Sequence, residues 1–354
     1  MGIEAGELME DVVLRGRLRD DALRRIVLGV DWPAEVPAGG AAEAVVLRDL
    51  PGEPVERLRF YGEGNGWTPR MTTLDDNGAP AVLWAGDADM ERDWSLERWQ
   101  RENGALEREA AAEAMAFFGR IDTGELRFRL PTIRVRVWSR IVAASNPVPR
   151  DLRADLHRDR VEVLRSHTPY THFFRVEQTE LRHPLFDGNP GAPVTRAAFV
   201  LGDAATVLPY DPVRDRVMIV EQFRFGPMMR GDPYPWCLEP IAGRLDPGET
   251  PETAIRREAQ EEAGLVLDAL HRVATCYPSP GAVSEYLTIF VGIADLPDSA
   301  QGTGGAPDEH EDIRAHVISF DRLMALLDTG EADNAPLLIS ALWLQRERAK
   351  GRFA

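Results

Sequence analysis

Between Thr250 and Gly264 the sequence carries the local signals of a short helix. Thr250 suits the N-cap, Pro251 the first helical position and Gly264 the C′ position. At about 100° per residue, Ile255, Ala259 and Ala263 form one apolar stripe, so this helix must dock on a core. Glu258, Glu261 and Glu262 fall on an adjoining arc roughly 100° wide. Like charges three and four residues apart repel on a helix surface. A divalent cation relieves that repulsion, and hard carboxylate oxygens suit Mg²⁺ or Mn²⁺. A solvated acidic face is the competing explanation for a Glu-rich turn taken by itself.

The surrounding residues decide between the two. Gly243 is followed after a five-residue gap by Glu249. After a further seven-residue gap comes the run Arg257-Glu258-Ala259-Gln260-Glu261-Glu262-Ala263-Gly264-Leu265. Its fixed positions, including the apolar Ala259 and Leu265, are those of the Nudix box, which the segment resembles. A chance match at seven fixed positions has a probability on the order of one in 10⁸ per starting position. The resemblance implies a Nudix fold, with mixed β-sheet sandwiched by helices, and a divalent-metal-dependent hydrolase of nucleoside diphosphate derivatives. It further implies that Glu258 and Glu262 ligate Mg²⁺ (or Mn²⁺) with Glu261 assisting. Glu249 and Arg257 would brace the loop against the helix, and Gly243 and Gly264 complete the box.

Similarity extends on both sides of the box and resembles the ADP-ribose pyrophosphatase branch. It is carried by the hairpin Ala204–Asp215, the strand Ile219–Arg224, the approach Trp236–Gly243, and the stretches Ser279–Glu285 and Glu309–Arg314. By resemblance, Ala242 offers a backbone carbonyl to metal, Arg224 and Glu285 contact substrate, and Arg196 is a weaker phosphate contact. Glu309 would be the loop-borne general base, completing the site when the loop closes, with Glu311 a further metal contact. The expected substrate is ADP-ribose, cleaved to AMP and ribose 5-phosphate. Another nucleoside diphosphate sugar, or binding without cleavage, are the alternatives. Retention of Glu258, Glu261 and Glu262 favours catalysis. Homodimers are the family expectation.

Composition is ordinary for a soluble globular protein. The 354 residues exceed one typical domain, and 44% hydrophobic with 28% charged residues is ordinary for a chain that buries a core. A net charge of −17 argues against nucleic acid as partner. A small anion remains compatible where arginines or a metal reverse the field locally. Only Cys237 and Cys276 occur, so no disulfide framework organises the fold. The first residues are acidic and lack a signal-peptide pattern, and no apolar run is long enough to span a bilayer. A cytoplasmic location is expected.

The expected fold class is α+β, without a repeating βαβ beat. Residues 1–145 would form a smaller α+β domain, 146–160 a linker around Ser145-Asn146-Pro147-Val148-Pro149-Arg150, and 161–354 the Nudix domain. Six of the eight tryptophans precede the linker, which supports separate cores. Within the first part, Asp11–Leu14 predicts a strand, Asp20–Leu28 a helix, residues 60–80 turns, and Ser95–Phe118 a helix. Arg134–Arg140 alternates with period two and predicts a strand. Residues 297–307, rich in Gly and Pro, predict one mobile loop. Val12 to Asp20 resembles the start of a γ-glutamylcyclotransferase domain, but Arg15 and Arg17 replace the Tyr and Thr of its loop. A degenerate domain used for packing, assembly or regulation is therefore expected rather than a cyclotransferase. A Nudix domain behind such a domain resembles bacterial proteins associated with tellurite resistance.

Overall fold

The computed structural model describes residues 9–19, 34–47, 52–73, 80–85, 96–146, 151–305 and 312–353. The chain divides into two compact units, Met1–Ala197 with Asp246–Gly248, and Ala198–Leu245 with Glu249–Ala354. The fold is mixed α+β, as expected. No helix among the described residues is long and apolar enough to cross a membrane.

In the first unit, β1 (Met9–Arg19) pairs antiparallel with β2 (Ala34–Leu47). Helix α1 (Gly52–Gly64) precedes the antiparallel pair β3 (Thr68–Thr73) and β4 (Pro80–Ala85). Two longer helices follow, α2 (Leu96–Met115) and α3 (Thr123–Ser145). Strands β5 (Glu162–Thr171), β6 (Arg175–Arg182) and β7 (Val194–Val200) make a three-stranded sheet. The linker expected at 146–160 lies between α3 and β5, and the division between the compact units falls within β7. The helix expected at Asp20–Leu28 lies outside the described residues.

Three expectations in the sequence are overturned. Arg134–Arg140 belongs to α3, not to a strand. Arg134, Arg136, Val135 and Val137 are all buried, so the apparent polar alternation does not mark a solvent face. Arg134 Nε donates to Glu107 Oε1 of α2 at 2.7 Å, and Arg136 Nη2 to Glu113 Oε1 at 2.6 Å. The helix is started by Asp122, whose side chain accepts from the Glu125 amide. Second, residues 60–80 are not all turns. Phe60 and Tyr61 belong to α1 and lie inside the core of the first unit, packed with Leu106, Leu126 and Ile133. Third, residues 298–304 are not loop throughout. A 3₁₀ turn at Asp298–Ala300 leads to β14 (Gly302–Gly304), which pairs with β15 (Ile313–Ser319). That pairing supplies order which local composition does not encode.

The second unit is built on an eight-stranded sheet. Its strands are β8 (Ala204–Asp211), β9 (Arg216–Phe223), β10 (Trp236–Glu239), β11 (Ile241–Arg244), β12 (Ala269–Cys276), β13 (Leu287–Ile293), β14 and β15. The order is β12-β13-β8-β9-β15-β14, with β11 also on β8 and β10 also on β9. β13 runs parallel to β8, and the other pairings are antiparallel. A short helix, α4 (Phe225–Arg230), follows β9.

Both faces of this sheet are covered. Ala205, Val207, Met218, Val220 and Phe290 pack with Ile255 and Ala259 of α5 (Pro251–Ala263). The alternate residues Leu208, Tyr210, Val217, Ile219 and Val291 pack beneath α6 (Phe320–Thr329) and α7 (Ala335–Ala349). Strand β8 is therefore buried along its whole length. The β8–β9 turn is tied by Asp211, whose carboxylate accepts from the amides of Val213, Arg214 and Leu296 and from the Arg214 guanidinium. Burial pushes its carboxyl up, but these donors outweigh it and hold the group below the usual range.

Candidate active site

Helix α5 is fixed at both ends by its own sequence. The Thr250 hydroxyl accepts from the Thr253 amide, the Thr253 side chain returns the bond in a capping box, and Gly264 closes the helix with φ 62°. Docking of Ile255 and Ala259 on the sheet turns the glutamate edge toward the β11 end of the core. Glu262 is buried, the Glu258 side chain is 16% exposed and that of Glu261 is 50% exposed.

Arg257 binds this edge together. Its Nε and Nη2 hold the two oxygens of Glu249, each at 3.1 Å. Nη1 donates to Glu258 Oε1 and Glu261 Oε2, both at 2.9 Å. Nη2 also reaches the Arg244 carbonyl at 3.3 Å, joining the helix to β11. One guanidinium thus engages three carboxylates, and hard oxygens gathered in this way suit a divalent cation.

Two glycines make room for this junction. A Cβ on Gly243 would lie 1.9 Å from Glu258 Oε1, so the β11 backbone and that carboxylate occupy adjoining space. Gly304 of β14 plays the same part at the other end of the helix, where a Cβ would stand 2.3 Å from the Glu262 carbonyl oxygen. Among the described residues no three His, Cys, Asp or Glu side chains gather as a metal cluster. The donor chemistry at Gly243 nonetheless fits a hard divalent cation, because a carboxylate oxygen of Glu258 stands against strand backbone. Ala242, paired with Thr206 in β11–β8, lies next to this approach.

The remaining expected residues are distributed as follows. Arg224, which follows β9, donates through Nε and Nη2 to Glu239 Oε2. Glu285 precedes β13, in the electrostatic field of Arg244, Arg224 and Asp203. Burial pushes its carboxyl above the usual range, Asp203 adds to the rise, and the two arginines oppose it. Arg196 is an exposed residue of β7 in the first unit, where its Nη1 donates to the Thr195 carbonyl. Glu309 and Glu311 lie outside the described residues. The residues missed in the sequence are Glu239, Asn334, Arg244, Asp203 and Gly304. Asn334 could have been found as an N-cap two residues before Pro336. Glu239 stood in the stretch before Gly243 without an assigned role.

A family model described as NUDIX domain matches residues 200–340. The ADP-ribose pyrophosphatase of Escherichia coli (strain K12) is 40% identical over 197 residues, covering 56% of this chain and 93% of that protein. The ADP-ribose pyrophosphatase of Haemophilus influenzae is 35% identical over 192 residues, 54% of this chain and 88% of that protein. The GDP-mannose pyrophosphatase of Enterobacter sp. (strain 638) is 33% identical over 150 residues, 42% of this chain and 77% of that protein. With a relative matched over nearly its whole length and the box assembled on α5, the chain belongs to the NUDIX family.

Proposed function

We propose that the protein hydrolyses the diphosphate of ADP-ribose to AMP and ribose 5-phosphate in the presence of Mg²⁺. The observation that carries this reading is the Arg257-bound carboxylate edge of α5 beside Gly243. It stands in a chain that matches 93% of an ADP-ribose pyrophosphatase. Glu258, Glu262 and the Ala242 carbonyl would hold the metal, with Glu261 assisting and Glu311 contributing from the segment before β15. The metal, Mg²⁺ or Mn²⁺, would neutralise diphosphate charge and favour the attacking hydroxide. Glu309 takes a proton from the attacking water as the P–O bond to the leaving phosphate breaks. Arg224 presents a guanidinium to a phosphate, and Glu285 contacts the substrate.

Residues 161–354 constitute the proposed catalytic domain, and residues 1–145 a degenerate γ-glutamylcyclotransferase-like domain serving packing, assembly or regulation. A homodimer is proposed as well. Val163, Tyr170 and Phe173 are exposed along β5 and the turn to β6, and Phe186 is 90% exposed nearby in sequence. Such apolar exposure suits a second copy of the chain. A cytoplasmic location goes with this reading.

Turnover of ADP-ribose, ADP-glucose, GDP-mannose and NADH by the full chain with Mg²⁺ tests the substrate. Preference for ADP-ribose by about tenfold or more in kcat/KM supports the proposal. Preference for GDP-mannose would instead align the chain with its other relatives.

A further inference from the structure

The direction of the Arg224 fork is set from behind. Glu239 ends β10, is 6% exposed, and takes both Arg224 bonds on Oε2, at 2.9 and 2.6 Å. Its other oxygen, Oε1, accepts from Asn334 Nδ2 at 3.2 Å. Asn334 is the N-cap of α7, and its Oδ1 accepts from the Leu337 amide at 3.1 Å. The amide therefore faces two ways, its oxygen starting a helix and its nitrogen holding a buried carboxylate.

Capping alone needs only an acceptor oxygen, and Ser, Thr or Asp would serve. Among these residues, Asn adds an N–H that can reach Glu239 while its oxygen caps. A buried carboxylate with both oxygens engaged has no freedom to swing, so the guanidinium bound to it is oriented too. The Arg224 side chain is 40% exposed, so the guanidinium held in this way reaches solvent.

We propose that Asn334 and Glu239 are positioning residues that aim Arg224 at the substrate diphosphate and act only through it. The proposal rests on the reading of Arg224 as a phosphate contact. It makes the start of the C-terminal helix part of substrate recognition, at a distance of 95 residues along the chain from Glu239.

The test compares wild type, Asn334→Ser, Glu239→Gln, Arg224→Ala and the Arg224→Ala/Asn334→Ser double variant, all as full chains with Mg²⁺ and ADP-ribose. Asn334→Ser keeps a cap and should melt within about 1 °C of wild type. Its KM should rise about three- to tenfold with kcat within about twofold. Glu239→Gln should raise KM by about tenfold. In the Arg224→Ala background, Asn334→Ser should add no further change in KM. A wild-type KM in both Asn334→Ser and Glu239→Gln overturns the relay while leaving Arg224 its role. So does an Asn334→Ser effect that persists undiminished without Arg224. An unchanged KM in Arg224→Ala removes the phosphate contact itself, and the relay with it.

Discussion

Arg257 grips Glu249 with a two-pronged fork, Nε to Oε1 and Nη2 to Oε2, each at 3.1 Å. The same side chain reaches Glu258 and Glu261, so the residue preceding the helix and the helix's acidic edge are held by one guanidinium. Lysine could keep the charge but not the fork. Arg257→Lys is therefore expected to lower kcat by about 10- to 100-fold with a small change in melting temperature. Steady-state kinetics and calorimetry on the same preparation check this.

Gly243 gives a second separation of activity from stability. A methyl group there would fall on the Glu258 carboxylate, whose side chain can rotate away without breaking the sheet. Gly243→Ala should lower turnover by on the order of 10²-fold while costing no more than about 2 kcal/mol of stability. A folded variant with wild-type turnover would show that Glu258 need not occupy this place.

Glu285 links recognition to pH. Burial holds its carboxyl above the ordinary value of 4.5, so the folded chain binds this proton more tightly than the unfolded chain does. For this group stability then falls as pH rises from that ordinary value through the raised one. Glu285→Gln removes the cost. It should raise the melting temperature at about pH 7.5, and the gain should vanish near pH 4, where the carboxyl is protonated in both states. KM for ADP-ribose should rise in the same variant, a trade of affinity for stability. A melting temperature that falls at neutral pH would contradict this.

Asp211 behaves oppositely. Its side chain is 2% exposed and it accepts from three backbone amides and one guanidinium, a net that holds its carboxyl below the usual range despite burial. Its contribution is present above the ordinary carboxylate pKa and is lost as pH falls through the lowered one. Asp211→Ala should cost about 2–4 kcal/mol in urea unfolding at neutral pH. The gap should narrow in acid.

Features written locally were legible in the sequence. The α5 caps and the Asp211–Asp215 turn each depend on residues a few positions apart. Features written at long range were not. Arg134 and Arg136 read as a solvent face until α2 supplies Glu107 and Glu113. Gly302–Gly304 reads as loose chain until the edge of β15 pairs with it. Within the candidate site the box residues announced themselves by spacing. Glu239 and Asn334 meet only after β10 and α7 come together. Glu285 carries no local sign of the burial that perturbs it.

The most direct test of the central claim is AMP release from ADP-ribose by the purified full chain with Mg²⁺, set against the same protein with EDTA and against Glu262→Gln. Turnover that EDTA abolishes and Glu262→Gln lowers by on the order of 10²- to 10³-fold is the predicted result. No AMP from the wild type, with ADP-ribose still bound in equilibrium dialysis, would make the protein a sensor of that nucleotide and contradict the assignment as a hydrolase.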